Sequence, residues 1–256
     1  MLSERFTSLR AAGRRALVCY VTAGHPDRAR SLELIRGLED AGADVLEIGV
    51  PFSDPVADGP VIQSSSQTAL DQGMTLDGAL ELIAEAKIKI PVVLFSYLNP
   101  IIAAGPDVLD RAKRSGVSGV LVTDLPVGAD PEREAWFGAG PLDFVRLVAP
   151  TTPRDRMALI AKDGRGFVYL ISRLGVTGMQ SELAETLPAS IKTLREVCSL
   201  PICVGFGIST PEQARTVGAL ADGIIVGSAI VQAAGRSVAE AVSLTRSLRS
   251  ALDDVR

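Results

Sequence analysis

Eight short apolar, β-branched runs recur along the 256 residues, and each is followed by a stretch with helical periodicity. ALVCYVT (16–22) leads into residues 27–40, ADVLEIG (43–49) into IQSSSQTAL and TLDGALELIAEAK, and IPVVLFSY (90–97) into PDVLDRAKRSG. SGVLVTD (118–124) precedes PEREAWF, DFVRLV (143–148) precedes PRDRMALIAKD, and GFVYLIS (166–172) precedes PASIKTLREVC. LPICVGFG (200–207) precedes TPEQARTVGAL, and ADGIIVGSAIV (221–231) runs into the closing SVAEAVSLTRSLRSAL. Strands alternating with helices must lie parallel, since each helix carries the chain back to the starting edge. Eight such units in this length predict an α/β fold, a single (β/α)8 TIM barrel, with residues 1–256 forming one domain. An open doubly wound sheet is the alternative, but it has fewer strands and a Gly-rich first turn, which is missing here. Thr210-Pro211-Glu212 and Thr152-Pro153-Arg154 read as helix starts, and Gly42, Gly116 and Gly218 as helix stops.

With 47% hydrophobic residues the chain can bury a sizeable core, and its net charge of −4 offers no footing for nucleic acid. The basic run Arg111–Arg114 lies in a helical stretch and reads as a solvated face. Cys19, Cys198 and Cys203 lack metal-type spacing and read as reduced core residues, with no His partner for a nucleophile. The first residues show no signal-peptide h-region, and no apolar run reaches the roughly 18 residues of a membrane span. A cytoplasmic protein is expected.

The segment VLEIGVPFSDPVADGPVIQ (45–63) places three carboxylates beside an apolar run. Alternation puts Val45, Glu47 and Gly49 on one face of the strand and Leu46 and Ile48 on the other. Leu46 and Ile48 suit the helix layer, so Glu47 points into the barrel mouth, where parallel barrels carry their active sites. An unpaired carboxylate there is held towards its neutral form by desolvation, which suits a group that gives and takes protons. The competing reading is a Glu paired with a buried Arg or Lys. Asp54 and Asp58 occupy a loop stiffened by Pro51, Pro55 and Pro60, and their spacing alone fits turn chemistry as well as catalysis.

EIGVPFSDPVADGPVIQ resembles the signature of the tryptophan synthase α subunit family, as do YLISRLGVTG (169–178), GFGIS (205–209) and GSAIV (227–231), in the family's order. The resemblance implies cleavage of indole-3-glycerol phosphate to indole and glyceraldehyde 3-phosphate. It assigns the catalytic Glu to Glu47 and the catalytic Asp to Asp58, and leaves Asp54 to shape the loop. It also implies a partner, a β subunit that holds pyridoxal phosphate and takes the indole, in an α2β2 tetramer. No cofactor is expected in this chain itself. The five lysines fall in helices or before strands, which disfavours a Schiff-base aldolase, and the single His25 disfavours a metal-dependent one.

Gly205, Phe206 and Gly207 follow the seventh strand, and Gly227 and Ser228 the eighth. There backbone N–H groups hold phosphate in many barrels, although such glycines also make plain strand-to-helix turns. The resemblance makes Phe206, Gly207, Gly227 and Ser228 substrate-binding residues, with Gly178 another. It places Tyr20 and Leu121 in the apolar indole pocket, Tyr169 near the catalytic Glu, and Thr177 on a lid that reaches the catalytic Asp. SRLGVTGMQSELAET (172–186) has the length and glycines of such a lid. His25, where the family more often has Asp or Tyr, and Met179-Gln180 depart from the family pattern at the partner surface and the lid. Another phosphate-binding barrel enzyme, such as a sugar-phosphate isomerase, would share the glycine turns but not the Glu47–Asp58 segment. An idle α-like subunit would lose one of the two acids. A free-standing indole-releasing lyase has the same sequence signature.

Overall fold

A computed structural model describes residues 2–171, 180–205 and 207–255, with the backbone alone for 180–186. Eight parallel strands close into a barrel in chain order, β1 pairing with both β2 and β8. They are β1 (Ala16–Thr22), β2 (Val45–Gly49), β3 (Val92–Ser96), β4 (Val117–Val122), β5 (Asp143–Val148), β6 (Val168–Ile171), β7 (Ile202–Gly205) and β8 (Gly223–Val226). The expected (β/α)8 fold is therefore what forms. Each strand sits inside its predicted run except β4, which begins one residue earlier. Only the eighth run ends far from its expected limit. SAIV belongs instead to helix α11 (Ser228–Arg236), capped by Gly227, where Ile230, Val231, Ala233 and Ala234 form its buried face.

Strand alternation divides the core as the sequence predicts. Leu46, Ile48, Leu94, Val120 and Ile224 face the outer helices, including α2 (Arg28–Asp40), α4 (Leu76–Ala86) and α12 (Val238–Asp253). Val18, Val45, Val93, Leu121, Val145, Cys203 and Ile225 fill the barrel interior. The amino-terminal end of the barrel is plugged by α1 (Leu2–Ala11), whose Leu2, Phe6 and Leu9 join that interior cluster, with the Phe6 ring 5.4 Å from that of Phe167. The 2, 6, 9 spacing is a helical stripe that the sequence reading passed over.

Other local expectations are corrected. Thr210 caps α10 (Pro211–Gly218) through a capping box with Gln213, as its sequence implies. Thr152 does not cap α8 (Arg154–Lys162): Pro153 is the capping residue, and the Thr152 hydroxyl instead accepts the Ala149 N–H at 3.1 Å. Gly42 and Gly116 stop their helices at φ +97° and +99°, but Gly218 is the last residue of α10 and is bare because a Cβ would strike Leu252. Helix α9 runs from Gln180 to Val197, with Pro188 inside it rather than at its start. Among the described residues no helix is long and apolar enough to cross a membrane.

Candidate active site

Strand β2 delivers Glu47 to the barrel's carboxyl end, in register with Tyr20 on β1 and Val93 on β3. Glu47 is 1% exposed, and its Oε1 has no hydrogen-bond partner. Among the described residues nothing supports the ion-pair alternative, since the two buried arginines, Arg146 and Arg249, are committed to Glu134 and Asp44. Burial without a compensating cation pushes the Glu47 carboxyl up to about 8, so it carries its proton at neutral pH.

The loop after β2 returns Asp58 over the same opening. Asp58 is half-buried and its Oδ2 accepts the Tyr97 hydroxyl at 2.8 Å. Burial raises this carboxyl from its ordinary range, while the Tyr97 bond holds it down. Asp54 stays exposed, takes the Ser53 hydroxyl at 2.6 Å and offers its carbonyl to the Val56 N–H at 2.9 Å. That is turn chemistry.

Glu47 and Asp58 open onto one cavity of about 720 Å³, walled on its apolar side by Tyr20, Ile62, Phe95, Tyr169, Ile171 and Ile225. Two of these rings need special room. Tyr20 leans over Gly49 and Tyr169 over Gly205, and at either glycine a Cβ would run into the tyrosine hydroxyl. Tyr20 also meets Phe95 edge to face, 5.2 Å between ring centres. The far wall carries Gly207, at φ +81°, with Gly227 and Ser228 at the start of α11. Gly227, Ser228 and Ala229 line the opening, and a helix start, with its first N–H groups left over by the helix, is a ready place for an anion.

The structure thus brings together Glu47, Asp58, Tyr20, Tyr169, Gly207, Gly227 and Ser228. Leu121 is fully buried in the interior cluster and does not line the cavity. Thr177, Gly178, Phe206 and residues 172–179 of the expected lid lie outside the described residues. Phe95, Ile62, Ile171 and Ile225 went unnoticed in the sequence, although Phe95, Ile171 and Ile225 stand at or near the carboxyl ends of predicted strands. All five lysines are exposed, and none lines the cavity. His25 is half-buried on the neighbouring loop, and burial lowers its pKa against an opposing influence of the Val231 backbone. Among the described residues no three His, Cys, Asp or Glu side chains converge as a metal site.

A parallel barrel with a buried acid and a half-buried acid at its carboxyl end, facing an anion-ready helix start, defines a class: the barrel enzymes that work by proton transfer on a phosphorylated substrate. Within that class, residues 6–254 match the family model for the tryptophan synthase alpha chain. The chain is 47% identical over 231 residues to the tryptophan synthase alpha chain of Desulfatibacillum aliphaticivorans, spanning 89% of this chain and 87% of that one. It is 45% identical to that of Microcystis aeruginosa over 90% of this chain and 89% of the relative. A crystal structure of tryptophan synthase subunit alpha from Legionella pneumophila superposes with a TM-score of 0.90 at 32% identity, covering 99% of this chain and 98% of that one. The chain belongs to the tryptophan synthase alpha chain family.

Proposed function

We propose that indole-3-glycerol phosphate is cleaved in this cavity, with Glu47 and Asp58 as the acting carboxyls. The chain is a carbon–carbon lyase of tryptophan biosynthesis, and the observation that carries the assignment is Glu47: a buried acid with an unpartnered oxygen, neutral at pH 7, at a barrel mouth. In its protonated form it gives its proton to ring carbon 3 of the indole. The carboxylate so formed takes the proton of the hydroxyl on the adjoining side-chain carbon. The bond between the two carbons breaks, the hydroxyl carbon becomes the aldehyde of glyceraldehyde 3-phosphate, and the electron pair returns to the ring. Glu47 ends as it began. While ring carbon 3 is tetrahedral, positive charge sits on the ring nitrogen, and Asp58 accepts its N–H and stabilises that charge. Tyr20, Phe95 and Tyr169 supply an apolar wall for the ring, and Gly207, Gly227 and Ser228 hold the phosphate at the start of α11.

Asp58→Asn removes the anion and keeps the shape. Indole release should fall by roughly 10²-fold or more, as for loss of an electrostatic stabiliser. A folded Asn variant with the parent's turnover would defeat the assignment. For the phosphate wall, a Cβ at Gly227 meets only ordinary contacts on Tyr20. Gly227→Asp should therefore weaken glycerol-phosphate binding by charge rather than by clash. Calorimetry showing equal affinity would remove this wall from the site.

The finer reading treats residues 1–256 as one cytoplasmic domain that docks on a β subunit carrying pyridoxal phosphate, in an α2β2 tetramer that receives the indole. Family membership supports it, as does the absence of any lysine from the cavity wall among the described residues. Sedimentation of this chain mixed with a tryptophan synthase β subunit should show the four-chain species; two separately sedimenting proteins would count against it.

A further inference from the structure

Tyr97 stands one residue beyond β3, where the strand passes into α5 (Leu98–Ala103), and is 3% exposed. Its hydroxyl makes two bonds to the acid-bearing loop. It donates to Asp58 Oδ2 at 2.8 Å and accepts the Ala57 backbone N–H at 2.9 Å. Its ring lies 5.1 Å from that of Phe52, at the other end of the same loop. Behind it, Asp124, just past the end of β4, accepts the Leu98 N–H at 2.7 Å and fixes the first turn of α5. The loop's own bonds near the acid are local, Val56 N–H to the Asp54 carbonyl and Asp58 N–H to the Pro55 carbonyl. Tyr97 is therefore the side chain through which a strand end grips the loop.

Its bond also divides the labour of the Asp58 carboxylate. With Oδ2 occupied, Oδ1 is the oxygen left to meet a substrate. We propose that Tyr97 is a positioning residue for the cleavage: it clamps Asp58 Oδ2 and Ala57 so that Oδ1 stays aimed at the ring nitrogen. This rests on the role given to Asp58 above. The hydroxyl acts on charge as well as on geometry. Among the described residues the titratable groups around Asp58 are Tyr97, Tyr20 on β1, Tyr169 on β6 and Glu47 across the same cavity, with Asp124 acting on Tyr97 from the β4 end. All are acids, and no Lys, Arg or His lines the cavity among the described residues. With burial working against the carboxylate, the Tyr97 donor is what favours its charged form.

The test compares Tyr97→Phe, Asp58→Asn and the double variant in steady-state indole release from indole-3-glycerol phosphate across pH. Loss of a hydrogen bond to a charged group should lower kcat in Tyr97→Phe by about tenfold to a hundredfold. KM should change by less than about threefold, since the bond matters most in the transition state. The acid limb of the kcat profile should move to higher pH, because Asp58 then binds its proton more readily. In the Asp58→Asn background the Phe substitution should add nothing. A folded Tyr97→Phe protein with kcat and acid limb unchanged overturns the proposal. So does a variant that only melts earlier, or one that slows the Asn enzyme by the same factor as the parent. Should the Phe variant not fold, 3-fluorotyrosine at position 97 offers a stronger donor of the same shape. Its acid limb should move to lower pH, and a fixed limb overturns the proposal. If Asp58→Asn turns over like the parent, the reading of Asp58 falls and this one with it. An inactive Asn variant beside an unaffected Phe variant removes Tyr97 alone.

Discussion

Asp44, just before β2, and Glu47, its middle residue, lie three residues apart, equally hidden from water at 0% and 1% exposure, and the fold treats them in opposite ways. Asp44, at the amino-terminal end, has every need met. Arg249 Nη1 donates to Oδ2 at 2.8 Å, Arg5 Nη2 to Oδ1 at 2.6 Å, and the Leu17 N–H to Oδ2 at 2.9 Å. Through these bonds one carboxylate ties α1, β1 and α12 to the barrel floor, and Arg249 also reaches the Arg15 carbonyl at 2.9 Å. Glu47, facing the barrel mouth, has an oxygen with no partner and, among the described residues, no cation beside it. A buried charge that is paired and hydrogen-bonded fastens elements together; one left unpaired stays protonated and costs stability when it ionises. Two positions three residues apart thus separate holding the barrel shut from doing chemistry in its mouth.

The sharpest way to break this contrast is Glu47→Gln. It keeps the shape and removes the transferable proton, so indole release should drop by about 10²- to 10⁴-fold, as for loss of a general acid–base group. The protein should remain folded, since a neutral amide in an unpaired site costs no more than the neutral acid. pH dependence makes the comparison finer. The native state keeps the Glu47 proton up to about 8 while the unfolded chain gives it up near 4.5. The folded form therefore binds more protons in that window, and stability falls as pH rises through it, by up to about 5 kcal/mol if the full shift is expressed. The Gln variant should lack that decline. Chemical denaturation at pH 5 and pH 8.5 measures it, and equal slopes in parent and variant would mean that Glu47 is paired after all.

Asp44→Ala should do the reverse. It strands a buried arginine and a backbone N–H, so a loss of about 3–5 kcal/mol is expected, while whatever fraction folds should keep its turnover. An Ala variant as stable as the parent would show that the floor network fastens nothing. A smaller effect is expected at Gly49→Ala, whose Cβ forces the Tyr20 hydroxyl aside and should cost about 1–3 kcal/mol, with weaker substrate binding, by calorimetry and melting. Smallest of all is Asp54→Asn, an exposed loop position where stability should stay within about 0.5 kcal/mol and indole release close to the parent. A large loss there would promote Asp54 from loop shaper to part of the mouth.

Much of this protein was legible in the order of its residues. The alternation of runs set the closed parallel barrel, and strand periodicity alone turned Glu47 inward and Leu46 and Ile48 outward. These features are local, and periodicity of 2 or 3.6 reports which face a residue shares without reference to the rest of the chain. By contrast, the apolar run read as the eighth strand extended to Val231, past the point where Gly227 and Ser228 begin a helix. Other facts needed the tertiary structure. Whether Glu47 met a cation depended on where α12 put Arg249, about 200 residues away in sequence, and that helix delivered it to Asp44 instead. Gly49 read as one strand residue among others and Gly205 as part of a phosphate-holding turn, until the tyrosines of neighbouring strands were seen lying across them. Leu121 carried the right residue type for a pocket wall, yet it is fully buried behind its register partner Phe95, which is the one of the two that lines the cavity. Tyr97 looked like one more aromatic at a strand end, and only the return of the proline-stiffened loop put Asp58 on its hydroxyl. The sequence by itself determines which way each side chain faces from its own strand or helix; which distant partner waits there is decided by closure of the barrel, because pairing depends on distances that only packing fixes.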